Sequence, residues 1–303
     1  MLRRLLLYLS EREAPKKLLT SASVGRRLAR RFIAGEDLED AVRAVRQLNA
    51  EGFDVTLDCL GESVKATAEA EEACRTYLTI LDRIAAEKLR SHISVKLTQL
   101  GLALDPRLTL RLLNTLWQRA VEHQTFVRVD MESSAYVGQT LSIFREANAP
   151  RDALGIVIQS YLYRSEKDVE DLIRMSARVR LVKGAYQEPP SVAFPDKADV
   201  DASFVRLMKM LLSSDAYHAI ATHDPHIIAA TETFAQEKGL RPDRFEFQML
   251  YGIRRQLQRD LLRRGCRVRV YVPYGTHWYP YFMRRLAERP SNLLFLLRNL
   301  FRG

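Results

Sequence analysis

Beyond about residue 50, the chain alternates short runs rich in Val, Ile, Leu and Tyr with longer, charged segments of helical spacing. The runs fall at Asp54–Leu60, Ile93–Leu97, Phe126–Met131, Ile156–Tyr161, Val179–Lys183, His218–Thr222, Phe245–Leu250 and Val268–Val272. Helical patterns follow them, among them Lys65–Leu89, a segment near Arg107–Glu122 and, last, Trp278–Ala287. Such alternation predicts parallel strands joined by crossover helices, because a parallel pair cannot be closed by a tight turn. Eight units suit a closed (β/α)8 barrel with no exposed edge. The rival, an open doubly wound sheet, usually carries a glycine-rich phosphate loop after its first strand. No two glycines here stand in GxG spacing, and there is no GxxxxGK[ST], so the barrel is preferred.

The organisation follows from the same rhythm. Residues 1–50 read as an N-terminal helical extension, 51–290 as the α/β barrel of TIM type, and 291–303 as an apolar C-terminal helix. A length of 303 residues with 47% apolar content can bury a core of that size. No internal repeat or low-complexity linker divides the chain, and Gln187–Asp199, with three prolines, is the longest irregular stretch.

The formal charge of +10 favours acidic partners: nucleic acid, an anionic membrane surface or anionic small molecules. No helix-turn-helix, zinc-finger or RNP pattern supports nucleic acid. Cys59, Cys74 and Cys266 lie far apart in no metal-binding spacing, which suits reduced thiols in a cytosol-like compartment. The N-terminal apolar run Leu5–Leu9 is too short for a signal sequence, and no stretch approaches the ~18 apolar residues that span a bilayer. The expected location is cytoplasmic, with peripheral contact at the inner face of the membrane through Asn292–Phe301; packing of that segment on the barrel or on a second subunit stays open.

Polar residues at the C-terminal ends of barrel strands face the active site. Here they recur at nearly every end: Asp58 and Glu62; Lys96; Asp130 and Glu132; Gln159 and Tyr161; Arg180 and Lys183 to Tyr186; Thr222, His223 and Asp224; Gln248 and Tyr251; Tyr271. Any one could be a salt-bridged core residue, but their recurrence at one end argues for a site. Lys96 and Asp130, on neighbouring strands, would hold each other charged. His223, Asp224 and His226 invite a metal, yet Asp224-Pro225 reads as a helix cap and first turn, and no second histidine cluster completes a ligand set, so no metal is expected. The last helix carries Tyr281, Arg284 and Glu288 on one face, with Arg285 displaced by about 100°. An arginine pair beside an aromatic ring can grip a carboxylate or phosphate; the plainer alternative is a solvated basic face.

Taken together, ISVKL (93–97), RVDMES (128–133), VIQSY (157–161), RLVKGAY (180–186), ATHD (221–224), FEFQMLYG (245–252), YVPYG (271–275) and YFMRRLAE (281–288) resemble the proline dehydrogenase family, in the family's order. The length is similar to that of the short monofunctional bacterial type. The resemblance implies a distorted barrel with the last helix over the active site. It implies FAD as cofactor, oxidation of L-proline to Δ1-pyrroline-5-carboxylate by hydride transfer to the flavin N5, and a quinone acceptor. It maps substrate contacts onto Lys96, Asp130, Ala185, Leu250, Tyr271, Tyr281, Arg284 and Arg285. FAD contacts map onto Gln159, Arg180, Val182, Lys183, Gly184, Ala185, Tyr186, Thr222, His223, Arg285 and Glu288. Met131 stands where the family often has a small residue, and Gln187 where some relatives have an aromatic one. In this reading Arg284, Arg285 and Lys96 clamp the carboxylate, Asp130 holds Lys96, Arg180 lies near the flavin edge, and Glu62 pairs with Arg284 as a gate when the site is empty.

Overall fold

A computed structural model of the chain describes residues 29–288. Its elements are α1 (Leu38–Ala50), β1 (Asp54–Cys59), α2 (Thr67–Ala86), β2 (Ser91–Val95), α3 (Pro106–Glu122), β3 (Val127–Val129), α4 (Ser134–Glu146), β4 (Leu154–Gln159), α5 (Ser165–Arg174), β5 (Arg178–Val182), α6 (Lys197–Leu212), β6 (His218–Ala221), α7 (Pro225–Glu237), β7 (Phe245–Leu250), α8 (Arg255–Arg263), β8 (Val268–Tyr274) and α9 (Trp278–Glu288). The eight strands pair in sequence order, all parallel, and β8 closes on β1. The helices start where the chain offers caps. Asp37, Asp105 and Asp224 each accept a hydrogen bond from a first-turn amide, and Pro106 and Pro225 occupy first-turn positions where no intrahelical amide bond is lost.

Strand ends shift from the sequence expectation at the site. β2 stops at Val95 and β3 at Val129, so Lys96 and Asp130 open loops rather than close strands. Only three residue pairs join β2 to β3. The apolar pattern outruns the ladder because Leu97 and Met131 are still buried after the backbone has turned away. In the other direction, β8 runs on through Pro273 and Tyr274, which pair with Asp58 and Cys59.

The ring of helices is completed by α1 and not by the last helix. α1 packs against β8 and β1 on the outside of the barrel. The last helix, α9, lies elsewhere, in a separate apolar cluster. There Trp278, Tyr279, Phe282, Met283 and Leu286 meet Leu60, at the C-terminal end of β1, and the segment Ala29, Phe32 and Ile33. The segment is laced to the end of β8 by the amide of Ala34 donating to Pro273 and that of Gly275 to Gly35. Trp278 Nε1 donates to Glu36 at 2.8 Å. Gly252 admits this segment closely: a Cβ there would stand 1.8 Å from the Arg31 carbonyl oxygen.

Candidate active site

β1 alternates its side chains, so Thr56 and Asp58 share a face, and the register sets Asp58 beside Ser94 on β2. Lys96, two residues past Ser94, then reaches back. Its Nζ donates to both Asp58 carboxylate oxygens at 3.1 Å, and Asp130 Oδ2 lies at 4.0 Å. Asp130 stands within ion-pair distance of Lys96, as expected from sequence, and Asp58 is the nearer, hydrogen-bonded partner that the sequence reading did not pair with it. Asp130 is occupied by three other donors, Arg180 Nη1 at 2.8 Å, Tyr271 Oη at 2.8 Å and Ser94 Oγ at 3.0 Å. Arg180 is correspondingly fixed. Its Nη2 lies 3.5 Å from Thr56 Oγ1, and its guanidinium stands 5.3 Å from the centre of the Tyr271 ring.

Burial works against the Lys96 ammonium, but Asp58 and Asp130, with Glu62 further off, outweigh it and hold its pKa above the ordinary lysine value. Burial likewise raises the Asp58 carboxyl, and Lys96 pulls it back. Tyr271 is pushed well up, by burial first and then by Asp130 and Asp58. The assembly is a buried network of two carboxylates and two cations.

Above it, α9 presents its arginines. Arg284 Nη2 donates to Glu62 Oε1 at 2.6 Å, with Nη1 3.5 Å from Oε2. Arg285 turns the other way, its guanidinium 5.1 Å from the centre of the Tyr281 ring, as the i, i+4 spacing permits. The face assignment made from sequence is adjusted accordingly: Tyr281 stacks with Arg285, and Arg284 is the one that reaches the barrel. Tyr186 lies close enough to feel Glu62, Arg284, Glu132 and Lys96, and burial followed by Glu62 raises its phenol.

Among the described residues, the buried Gln159 Oε1 and Arg180 Nε have no hydrogen-bond partner. Gln159 Nε2 donates to the Glu132 carbonyl at 2.8 Å, fixing the amide so that Oε1 is the end left over. After β5, Gly184 has φ +123°, and a Cβ there would stand 2.4 Å from Tyr161 Cδ1, so only glycine passes.

A profile of proline dehydrogenases matches residues 41–298. The chain belongs to the proline dehydrogenase family. It is 43% identical over 303 residues, the whole of both chains, to Proline dehydrogenase 1 of Bacillus subtilis (strain 168). It is 41% identical over 281 residues, 91% of each chain, to the proline dehydrogenase of Deinococcus radiodurans. Among solved structures, proline utilization A (PutA) from Bdellovibrio bacteriovorus, inactivated by N-propargylglycine, is similar with a TM-score of 0.82 at 27% identity; the match covers 87% of this chain and 33% of that one. The chain thus spans about a third of PutA, and its length is that of the short monofunctional proline dehydrogenases.

For a proline dehydrogenase, the residues expected from sequence divide into groups. Lys96, Asp130, Arg180 and Tyr271 come together in the one network described. Arg284 joins from α9 through Glu62, the pairing expected from sequence. Ala185, Tyr186 and Leu250 are half-buried at the ends of β5 and β7. Lys183 is tied to Asp201 at 2.5 Å and Asp224 at 3.0 Å. Thr222 Oγ1 accepts the Asp224 amide, and His223 Nε2 accepts the Leu250 amide at 2.8 Å, which ties the end of β6 to that of β7. Asp224 caps α7 as the sequence predicts. The side chain of Glu288 lies outside the described residues, as do residues 289–303.

Ser94 and Thr98 belong to this region and were not assigned to it from sequence; Asp58 was read there as a strand-end residue, without Lys96 as its partner. Strand alternation and register would have found Ser94. Thr98 sits in a loop, where neither signal applies.

Proposed function

We propose that the chain is an FAD-dependent proline dehydrogenase that oxidises L-proline to Δ1-pyrroline-5-carboxylate and passes the electrons to a membrane quinone. The observation that carries the reading is the pairing of Arg284 with Glu62 within electrostatic reach of buried Lys96. A carboxylate already rests on a guanidinium at a cationic site, and the carboxylate of an amino acid can exchange with it. The donor chemistry also fits a flavin. The leftover Gln159 Oε1 and Arg180 Nε are an acceptor and a donor that a heteroaromatic ring edge satisfies, and the glycine passage at Gly184 lets backbone approach closely.

Gln159, Arg180, Val182, Lys183, Gly184, Ala185, Tyr186, Thr222, His223, Arg285 and Glu288 would hold the FAD. When bound, the flavin supplies at N5 the acceptor for a hydride from the proline ring. The remaining work belongs to the chain. Arg284 and Arg285 bind the carboxylate, with Lys96 as a third charge that Asp58 and Asp130 keep protonated. A lysine held so firmly charged is a poor base, and no strong base is required where proline binds with its amine neutral. Tyr271, Tyr281, Leu250 and Ala185 orient the ring, and Arg180, fixed by Asp130 and Ser94, places a cation at the cofactor's edge. Glu62 acts as a gate, holding Arg284 until the substrate carboxylate displaces it. Among the described residues no helix is long and apolar enough to cross a membrane. The net charge of +10 suits peripheral contact with an anionic surface, where a quinone is met.

The deciding experiment is the visible spectrum of the purified protein. A flavin band bleached by L-proline under anaerobic conditions is the expected result. A colourless, folded protein that cannot be loaded with FAD would overturn the assignment.

A further inference from the structure

We infer that Thr98 is a positioning residue that holds the Glu62 loop against Arg284. The proposal rests on the reading of Glu62 as a gate. The loop between β1 and α2 carries Glu62, and the backbone turns sharply beside it: Ser63 has φ +52°, a conformation uncommon and unfavourable for a residue with a Cβ. Support comes from β2's loop. The Ser63 amide donates to Thr98 Oγ1 at 3.2 Å, and the Val64 amide to the Thr98 carbonyl at 3.4 Å. Thr98 is itself oriented. Its hydroxyl donates to Glu132 Oε2 at 2.5 Å and its amide to Glu132 Oε1 at 3.1 Å. A hydroxyl has one proton and two lone pairs. With the proton committed to the buried Glu132 carboxylate, a lone pair is left facing the Ser63 amide.

One residue earlier in the loop, a Cβ on Gly61 would stand 2.6 Å from Gln99 Nε2, so Gly61 lies flat on Gln99. Gln99 is pinned in turn by Tyr77 Oη at 3.0 Å. Glu62 thus stands between two contacts made by consecutive residues, Thr98 and Gln99. Thr98 is also two residues beyond Lys96, in a turn where the amides of Gln99 and Leu100 donate to the Lys96 carbonyl. The carboxylate that holds Arg284 and the lysine of the substrate site are therefore built on one short turn. The far end of the loop is tied to α2, where the Lys65 amide donates to Glu69 Oε2 at 2.7 Å, and Thr98 holds the near end at Ser63.

The test uses the flavin-loaded full-length protein and compares Thr98→Val, Thr98→Ser, Glu62→Ala and Thr98→Val/Glu62→Ala. Hydrogen–deuterium exchange of residues 60–66 reads the loop, and the proline KM against kcat reads the gate. Thr98→Val should speed exchange in that segment and lower KM about fivefold, because a loosened Glu62 competes less with the substrate carboxylate for Arg284, the size of one net hydrogen bond of about 1 kcal/mol, with kcat little changed. Thr98→Ser should restore both. The double variant should match Glu62→Ala alone, since two residues acting through one contact are not additive. Unchanged exchange in Thr98→Val, or a full additional KM effect on top of Glu62→Ala, overturns the proposal. Faster exchange in Thr98→Val with a wild-type KM in Glu62→Ala keeps Thr98 as the loop's support and overturns the gate instead. Should the valine variant not fold, Glu132→Gln keeps the side-chain volume, weakens the same relay and is expected to shift exchange and KM in the same direction by less.

Discussion

At the N-terminal end of the barrel, Arg128 and Arg178 direct their guanidinium groups at rings and backbone. Both lie within 4.7 Å of the centre of the Phe126 ring, Arg178 also 4.9 Å from that of Tyr217, and Arg128 Nη1 donates to the carbonyls of Arg178 and Ile156. Gly155 makes room for this, since a Cβ there would stand 2.5 Å from Arg128 Nη1. Arg269 is paired with the fully buried Glu246 at 2.8 Å and donates to the Val55 carbonyl. At the C-terminal end, Lys96, Arg180 and Arg284 are held by the side-chain carboxylates of Asp58, Asp130 and Glu62. A cation bound to a backbone carbonyl or a ring has nothing to exchange, and the Glu246–Arg269 pair is sealed from any ligand by its burial. Glu62, part-exposed on Arg284 at the mouth, can be traded for the carboxylate of a ligand. The charge content of the two ends is alike, and access to the carboxylate separates wall from site.

The sharpest way to break this division is at the floor. Glu246→Ala leaves Arg269 buried without its carboxylate and should cost ~3–5 kcal/mol of stability in a denaturant titration. The KM for proline of the folded fraction should stay at the wild-type value. A shifted KM with little loss of stability would mean that the floor serves the substrate after all.

At the mouth the signs reverse. Arg284→Ala and Arg285→Ala should each lose ~2–4 kcal/mol in kcat/KM, mostly through KM, with melting temperatures close to wild type. Steady-state kinetics that match the unaltered enzyme would remove the clamp.

A third contrast is acid sensitivity. Burial first, then Arg128 and Arg178, push the floor histidine His218 down to about 3. Its Nδ1 accepts the Val179 amide and its Nε2 lies 2.8 Å from Ser214 Oγ, an arrangement that needs the neutral ring. The unfolded chain takes up its proton near pH 6.5 and the folded one only near 3, so this part of the stability is lost as pH falls through that window. The loss is about 1.4 kcal/mol by a pH about one unit below the unfolded value. His218→Asn, which keeps an acceptor for Val179, should flatten the dependence between pH 6.5 and about 3; an unaltered slope would place the acid sensitivity elsewhere. The smallest effect is expected at Gln159. Removing its leftover acceptor with Gln159→Met should weaken FAD retention about fivefold, or about 1 kcal/mol, in a cofactor-release assay. Full retention would remove Gln159 from the cofactor's partners.

The barrel itself was legible, because eight period-like runs survive in the sequence whatever the loops do. So was the cap at Asp224 and Pro225, which is local chemistry. Lys96, Asp130, Arg180 and Tyr271 were found by the rule of strand ends. That Asp58 is the nearer carboxylate on Lys96 was not legible. Asp58 on β1 and Asp130 just after β3 flank it, and only the depth offset between strands, set by the shear of the barrel, ranks them. Arg128 and Arg178 show the converse: charged residues within strands whose stacking on Phe126 leaves no mark in a one-dimensional pattern. Thr98 was invisible because its role depends on a φ angle in a different loop.

Because α1 occupies the outer wall beside β8 and β1, the eleven residues Trp278–Glu288 are released from closing the cylinder. Wall and last helix can then be exchanged separately: an α9 grafted from a relative should seat without loosening the cylinder beneath it, provided that Glu36, Phe32 and Leu60 are kept as its seat.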